Sequence, residues 1–384
     1  MYNILINKSN NIITVVVVKD GEVVEIYEEN QQEKRLEGDI YLGKVKNIIS
    51  GMESAFIDIG ENKNSLIHIK DLLPKESNIT GNIYKDTSKI DISKIIKSGD
   101  EILVQVKRDC NEQKGPRVTK DIKINGNLVI LMPFCNFVTV SQKIEDKIEK
   151  ERLKNIVEKL LPKNYGAIIR TVAENRQEAE IEEEITKLIH IWNEIEKKAS
   201  KQKNIAPIKI FDNGGIIGKI ITDLSQNNLE KIYINDISIL KQYSNIKDKI
   251  EVIPNCLEMF DANKINLNRK ICLKCGGFIT IDKTEALTAI DVNSGKFTGK
   301  NELEKTVLKV NLEASKEIAK QIRLRDMGGI IIIDYIDMEN EEDRQYVRKY
   351  IIECLKNDRS KVQVMEFTKL GLLEITRKHI LGRE

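Results

Sequence analysis

Hydrophobic and polar positions alternate along residues 1–30, which predicts strands. An Asp20-Gly21 pair separates the apolar runs NIITVVVV and EVVEIY, an arrangement typical of a β-hairpin. From about residue 36, short strand patterns follow one another between glycine and asparagine turns. They resume at GDEILVQVKRD and GPRVTKDIKI. Regular short strands with glycine corners indicate a small β-barrel, and the polar stretch 75–98 is predicted to be a loop or short helix.

The period of the pattern changes in the middle of the chain. A helix is predicted over residues 144–161 from apolar positions at roughly helical spacing, namely Ile144, Ile148, Leu153, Ile156, Val157 and Leu160. The segment GAIIRTVAEN predicts a strand and turn, and a long charged helix is expected from about residue 175 to 200. Pro207 marks a break. Beyond it, residues 208–265 indicate a small α/β piece with short strands around a helix near 223–230.

The last part of the chain has the most regular pattern. A strand at 287–292 precedes a helix whose apolar stripe is Leu303, Val307, Val310, Ala314, Ile318 and Ile322. The glycines at 328 and 329 end that helix, and IIIID forms a second strand that finishes on Asp334. Strand, helix, strand is the order of a crossover unit, so the two strands are expected to be parallel.

Two aspartates finish these two strands, and they are the candidate chemistry of the chain. Asp291 and Asp334 would lie at the same edge of the sheet, where α/β sheets usually bind ligands. Converging carboxylates repel unless a cation lies between them, and oxygen ligands suit Mg²⁺ or Mn²⁺. Asn293 shares the strand face of Asp291 and could orient a ligand without adding charge. The alternative is that both aspartates are ordinary turn or capping residues.

Neighbouring polar residues allow a structural interpretation as well. Asp337 is expected to cap the helix that follows it, and Lys296 and Lys300 could contact phosphate or simply be solvated. The three histidines lie far apart along the chain, so any catalysis is expected to depend on carboxylates.

Composition limits the class of protein without choosing a partner. At 384 residues the chain is long enough for several domains, and its 62 basic and 60 acidic side chains leave a net charge of only +2. The overall charge therefore does not by itself indicate a nucleic-acid partner, and any basic binding surface must be local. Neither a signal peptide nor a membrane-spanning run is recognisable, and six scattered cysteines do not suggest disulfides. A cytoplasmic protein with reduced thiols is expected.

Three segments in order, EALTAIDVNSG, NLEASKEIAKQIRLRDMGGIIIIDYIDM and TKLGLLEITRK, resemble the catalytic core of the ribonuclease E/G family of endoribonucleases. The resemblance extends over nearly the whole chain. It implies a multi-domain α/β protein with an RNase H-like subdomain in two parts, residues 1–35 and 207–266. An OB-fold RNA-binding domain at 36–120 and a 5′-sensor region at 121–206 would be inserted between them. A DNase I-like α/β catalytic domain would occupy 267–384.

The activity implied by the resemblance is Mg²⁺-dependent cleavage of single-stranded RNA to 5′-phosphate and 3′-hydroxyl ends, in RNA processing or decay. Asp291 and Asp334 match the family's metal ligands, with Mn²⁺ as the alternative ion, and Asn293 matches an amide that helps to place the metal or the attacked phosphate. Two rival functions stay open. One is a non-catalytic RNA-binding or scaffold protein of the same fold, and the other is a metal phosphodiesterase acting on DNA.

The resemblance also assigns residues that bind RNA away from the catalytic centre. Arg170 and Thr171 match a pair that binds a 5′-monophosphate, a preference that the chain is therefore expected to share. Phe56 and Lys114 match RNA contacts on the OB-fold, where an aromatic ring can stack on a base.

Some positions depart from the family pattern. Leu66 replaces a second stacking aromatic residue, while Lys143 and Lys361 replace arginines near the 5′-sensor. Lysine keeps the charge but loses the bidentate fork, so the strength of 5′-end dependence is open.

The zinc link of the family has no counterpart in this sequence. The chain finishes at KHILGRE, before the CPxC motif and the small domain that usually follow. The CxxC of Cys272 and Cys275 is at best half of a zinc site. Structural zinc and a zinc-linked dimer are therefore not expected, although a homodimer stays open.

Overall fold

The computed structural model describes residues 1–30, 35–73, 91–109, 114–224, 229–240, 248–259, 265–295, 303–356 and 358–380. The chain divides into two compact units, one formed by Met1–Glu33 with Asn227–Glu384 and the other by Lys34–Gln226. The first unit is thus built from two separate segments of the sequence.

The strands and α-helices within the described residues are numbered along the chain. The strands are β1 (Tyr2–Ser9), β2 (Ile12–Lys19), β3 (Glu22–Asn30), β4 (Ile40–Ile49), β5 (Ser54–Asp58), β6 (Ser65–His68), β7 (Glu101–Arg108), β8 (Arg117–Thr119), β9 (Ile124–Asn125), β10 (Val129–Met132), β11 (Val138–Val140), β12 (Gly166–Ile169), β13 (Ile208–Phe211), β14 (Leu229–Ile234), β15 (Ile250–Val252), β16 (Lys270–Cys272), β17 (Phe278–Lys283), β18 (Leu287–Asn293), β19 (Gly329–Asp334), β20 (Val362–Phe367) and β21 (Leu372–Arg377). The helices are α1 (Ile69–Leu72), α2 (Lys147–Leu160), α3 (Glu178–Lys201), α4 (Gly215–Leu224), α5 (Leu303–Leu324) and α6 (Glu341–Leu355). No helix in these ranges has the length and apolar character needed to cross a membrane.

The N-terminal hairpin is confirmed. β2 and β3 are antiparallel, with Lys19 opposite Glu22. Between them Asp20 and Gly21 both have positive φ, 51° and 83°, as a two-residue type I′ hairpin turn requires. The hairpin belongs to a five-stranded sheet of order β15-β14-β1-β2-β3, in which β14 and β15 are parallel to β1. This sheet belongs to the first unit.

The predicted β-barrel is also confirmed. Strands β4, β5, β6, β8 and β7 pair in that order, and β7 pairs back to β4, which closes a five-stranded barrel of the OB type. Alternate residues of each strand, such as Ile57, Ile67 and Val104, point inward and are fully buried. The residues between them point outward, and these form the surface on which Phe56 lies.

The region after Pro207 differs from its prediction. β13 pairs with barrel strand β4, and not with the strands that follow it in sequence. The helix predicted near 223–230 lies earlier, as α4, and Leu229–Ile234 is a strand. The apolar residues Ile217, Ile220 and Ile221 already have the spacing of this helix.

The middle of the chain forms a four-stranded sheet of order β11-β12-β10-β9 with α2 and α3 packed against it. The long charged helix is confirmed as α3. The prediction for α2 is wrong at its first turn, because Ile148 is 80% exposed. Ile144 is buried but precedes the helix, which begins after an Asp146 cap. The buried face of α2 is formed by Leu153, Ile156 and Val157.

The C-terminal sheet confirms the predicted crossover. Its order is β16-β17-β18-β19-β21-β20, and β18 is parallel to β19, with α5 connecting them. Four members of the predicted stripe on α5 are fully buried, namely Val310, Ala314, Ile318 and Ile322. The predicted cap of the next helix is wrong. Asn340, and not Asp337, accepts a hydrogen bond from the backbone N–H of Glu342 at the start of α6.

Candidate active site and RNA-binding residues

The two candidate aspartates lie side by side at one edge of the C-terminal sheet. In the parallel pairing of β18 and β19, Asp291 is directly opposite Asp334. Neighbouring strands are ~4.8 Å apart, so two carboxylates in this register converge. The preceding residues, Ile290 and Ile333, point the other way into the core and are essentially buried, which leaves both acids exposed. The alternation of buried and exposed residues along two parallel strands therefore places the two carboxylates side by side.

Asn293 is oriented toward the same site. Its side-chain Nδ2 donates a hydrogen bond of 2.6 Å to Oδ2 of Asp291. In the antiparallel pairing with β17, Asn293 lies opposite Phe278, so its backbone is fixed by the sheet. The amide thus restrains the Asp291 carboxylate without adding charge to the site.

The electrostatics of the site reflect two close negative charges. Burial raises the pKa of the Asp334 carboxyl above its ordinary value, and the charges of Asp291 and Asp337 raise it further. The neighbouring negative charges thus disfavour ionisation of Asp334. A cation between Asp291 and Asp334 would relieve this repulsion.

The donor set fits a hard divalent cation that keeps part of its water shell. Mg²⁺ is commonly bound through one or two carboxylates together with waters and substrate phosphates. Asp291 and Asp334 supply two such carboxylates. Among the described residues no group of three or more His, Cys, Asp and Glu side chains forms a metal site. The remaining ligands would therefore come from water and from phosphate oxygens of a substrate.

Phe56 lies in a row of residues across the outside of the barrel. It is opposite Asn47 on β4 and Leu66 on β6, and Leu66 is in turn opposite Arg117 on β8. Phe56 and Leu66 are half-buried, and Lys114 is exposed just before β8. Because this chain has Leu66 where the family pattern has a second aromatic residue, the row contains one aromatic ring, that of Phe56.

A basic pair beside this row was missed by the sequence analysis. Arg117 donates two hydrogen bonds to Oδ2 of the buried Asp71, and Lys107 donates to its Oδ1 at 2.8 Å. Both cations are about half exposed. The fold brings the acid and the two cations together, since Asp71 is 36 positions from Lys107 and 46 positions from Arg117 in sequence.

Arg170 and Thr171 follow directly after β12 in the middle region. The Arg170 guanidinium donates to the Gly126 carbonyl at 2.9 Å and to Asp223 Oδ1 at 2.8 Å. The Thr171 hydroxyl shares a hydrogen bond of 2.9 Å with the Ser141 hydroxyl. Asp223 was not singled out because its contact with Arg170, 53 positions earlier in sequence, depends on the three-dimensional fold. The signal available in the sequence was an acidic residue about one turn after a stripe of apolar residues at helical spacing.

The remaining candidates are distributed elsewhere. Lys143 follows Ser141 and donates its backbone N–H to that hydroxyl, whereas Lys361 belongs to the other compact unit. Lys296 and Lys300 lie outside the described residues.

The CxxC pair lies in the predicted hairpin. Cys272 ends β16, Cys275 lies in the turn to β17, and both are free thiols. The backbone N–H of Cys275 donates to the Glu313 carboxylate at 3.2 Å. Burial, followed by the Glu313 charge, raises the pKa of the Cys275 thiol, which disfavours the thiolate that zinc requires.

Comparison with known proteins identifies the family of the chain. Residues 123–380 match the model of the Ribonuclease E/G family. The chain is 34% identical to Ribonuclease G of Escherichia coli (strain K12) over 391 residues, covering 98% of this chain and 79% of that protein. Ribonuclease G of Haemophilus influenzae is also 34% identical, over 389 residues with the same coverage. Ribonuclease E of Synechocystis sp. is 34% identical over 362 residues, 89% of this chain and 52% of that protein. The chain belongs to the ribonuclease E/G family.

Proposed function

We propose that the protein is an endoribonuclease that uses Mg²⁺, or Mn²⁺ in its place, to cut single-stranded RNA during RNA processing or decay in the cytoplasm. The observation that carries the proposal is the register of Asp291 opposite Asp334, with Asn293 bound to Asp291. Membership of the family and the names of its relatives, Ribonuclease G and Ribonuclease E, support RNA as the substrate.

The three residues have separate tasks in this proposal. Asp291 and Asp334 would hold the cation. Asn293 keeps the Asp291 carboxylate in one orientation, so that its free oxygen faces the site. The cation would supply positive charge to the phosphate as negative charge develops in the transition state. Water then forms a bond to phosphorus while the bond from phosphorus to the 3′-oxygen breaks, and the 3′-oxygen takes up a proton. The products are a 5′-phosphate and a 3′-hydroxyl.

Two further binding roles belong to the proposal. Phe56 and Lys114 contact single-stranded RNA on the barrel, where the ring stacks on a base and the lysine pairs with the backbone. Arg170 and Thr171 bind a 5′-monophosphate, which favours substrates that carry one. The division into an RNase H-like part (1–35 and 207–266), an RNA-binding domain (36–120), a sensor (121–206) and a DNase I-like domain (267–384) is proposed on the same basis.

Cleavage of a defined RNA tests the proposal. A 5′-monophosphorylated, single-stranded A/U-rich RNA is incubated with the protein in Mg²⁺ and, separately, in EDTA. Cutting at internal positions only with Mg²⁺, and ends that a ligase identifies as 5′-phosphate, support the endoribonuclease. Binding of the RNA without any cutting would favour the scaffold function. Equal cutting of a DNA of the same sequence would favour a less selective phosphodiesterase.

Phe56→Ala is expected to weaken binding of single-stranded RNA about tenfold, since stacking of one base on an aromatic ring contributes ~1–3 kcal/mol. Fluorescence anisotropy with a labelled RNA in EDTA measures binding without cutting. Phe134→Ala is the matched control, because Phe134 is also partly exposed but packs against Trp192 in the middle region. Equal affinity of Phe56→Ala and the unaltered protein would contradict the assignment.

A further inference from the structure

One helix of the first unit, α5, carries a polar side chain on its buried face. Asn311 on α5 is completely buried, next to Val310 and one turn before Ala314 and Ser315. A buried amide without partners costs ~1–3 kcal/mol, so such a residue needs specific hydrogen bonds. Asn311 makes them with a segment that belongs to the candidate active site.

Both polar atoms of the Asn311 side chain bind one residue. Its Nδ2 donates to the Ile336 carbonyl at 2.8 Å, and its Oδ1 accepts from the Ile336 backbone N–H at 3.2 Å. The pairings of β19 with β18 and β21 end at Asp334, two residues earlier. Up to Asp334, neighbouring strands provide the hydrogen-bond partners of the main chain. At Ile336 the side-chain amide of Asn311 provides them instead.

A second buried contact supports the same segment. The Ser315 hydroxyl, one turn along α5 from Asn311, shares a hydrogen bond of 2.7 Å with the hydroxyl of Tyr335, the residue that follows Asp334. Ser315 is fully buried and Tyr335 is 4% exposed. The Ser315 hydroxyl also donates to the Asn311 carbonyl at 2.8 Å, so the two polar residues of α5 are connected.

The consequence concerns the position of a carboxylate. On one side, the strand register places Asp334 opposite Asp291. On the other side, Tyr335 and Ile336 are fixed to α5, so the backbone cannot rotate at the end of the strand and carry the carboxylate away. Two close negative charges would otherwise favour such a rotation, because it increases their separation. Asp337, directly after Ile336, is restrained by the same contacts.

We propose that Asn311, through its two hydrogen bonds to Ile336, is a positioning residue that keeps Asp334 aligned with Asp291 for binding the divalent cation. The inference rests on the proposed function of this site. Residues that orient metal ligands without touching the metal typically change metal affinity ~10–100-fold when removed. Removing the Asn311 amide is expected to weaken metal binding within this range, and removing the Ser315–Tyr335 contact is expected to weaken it less.

The test measures cation binding directly as well as cleavage. Asn311→Leu is compared with the unaltered protein by isothermal titration with Mn²⁺, by melting temperature and by cleavage of the A/U-rich RNA over a range of Mg²⁺ concentrations. The expected result is cation binding weaker by about 10–100-fold, a lower kcat at a fixed Mg²⁺ concentration and an unchanged dissociation constant for RNA. Gln321→Leu is the matched control. Gln321 is a buried amide on the same helix, but it binds Glu317 and Arg325.

Each outcome decides the inference. Weaker Mn²⁺ binding in Asn311→Leu but not in Gln321→Leu supports it. Equal Mn²⁺ binding in Asn311→Leu and the unaltered protein overturns it, even if the melting temperature falls, because Asn311 would then only stabilise the fold. If Asn311→Leu does not melt cooperatively, Tyr335→Phe and Ser315→Ala decide instead. Weaker binding in either variant supports the inference, and unchanged binding in both overturns it. If the unaltered protein neither binds Mn²⁺ nor cuts RNA, both the proposed function and this inference fail.

Discussion

Asp291→Asn and Asp334→Asn are each expected to lower the rate of RNA cleavage by more than about a hundredfold. Removing a group that merely orients a metal ligand typically costs ~10–100-fold, and these substitutions remove a carboxylate ligand itself. The two residues are in direct register, so each substitution removes one of the two converging carboxylates. Initial rates at saturating RNA and a fixed Mg²⁺ concentration, together with RNA binding in EDTA, measure the effect. RNA affinity is expected to be unchanged, because the barrel residues assigned to RNA binding are intact.

A control and a second readout separate catalysis from folding. Asp282→Asn is the matched control, since Asp282 is an acid on the adjacent strand β17 that pairs with Arg269. This variant is expected to cut RNA at the normal rate. Without metal, Asp334→Asn is also expected to melt at a higher temperature than the unaltered protein, because it removes the repulsion between Asp334 and Asp291. A metal-free melting temperature lower than normal, or more than a tenth of the normal cleavage rate in either aspartate variant, would contradict the proposed site.

The approach of Asp291 and Asp334 at one edge of the sheet could be predicted because its signals are local in sequence. A strand, an amphipathic helix and a second strand follow one another along the chain, and a helical crossover of this kind normally joins parallel strands. Asp291 and Asp334 are the last outward-facing acids of these strands, so their approach follows from the topology. The family resemblance then gave the pair a chemical meaning that the same residues at ordinary strand ends would not have.

Other features could not be predicted because they depend on contacts between distant parts of the chain. Nothing in IKIF at 208–211 indicates that β13 pairs with β4, about 170 residues earlier. Asn311 was included in the helix of the crossover but not singled out, since its role depends on where Ile336 lies in three dimensions. Ile148 has helical spacing yet faces solvent, because spacing alone does not say which side of a helix the sheet covers.

For the same reason, the sequence did not predict that Asp223 pairs with Arg170, the residue proposed to bind the 5′-phosphate. Arg170 was assigned by resemblance alone, whereas in the structure its guanidinium forms an ion pair of 2.8 Å with Asp223. The Asp223 carboxylate is only 14% exposed and presents oxygen to the guanidinium, as a phosphate would. A terminal phosphate on the RNA would therefore compete with an internal anion for the same donors.

Arg170→Gln is accordingly expected to reduce the preference for a 5′-monophosphate, and Asp223→Asn to increase it. Hydrogen bonds to a charged group contribute ~1.5–3 kcal/mol, so the loss of Arg170 should lower the rate ratio of 5′-monophosphorylated to 5′-hydroxyl RNA by ~10–100-fold. Asp223→Asn keeps the shape of the side chain but removes the competing charge, and a rise of several-fold in the same ratio is expected. Cleavage of the two RNAs, identical except at the 5′ end, gives the ratio for each variant.

The 5′-hydroxyl RNA makes this prediction specific. Its rate of cleavage should be nearly the same in all variants, because the terminal hydroxyl carries no charge for Arg170 to bind. Arg176→Gln is the matched control, since Arg176 lies in the same region but forms a partly exposed ion pair with Glu180 within one helical turn. If Asp223→Asn instead lowers the ratio as Arg170→Gln does, then Asp223 orients the guanidinium and does not compete with the phosphate. A ratio that neither substitution changes would remove Arg170 from the 5′-phosphate site altogether.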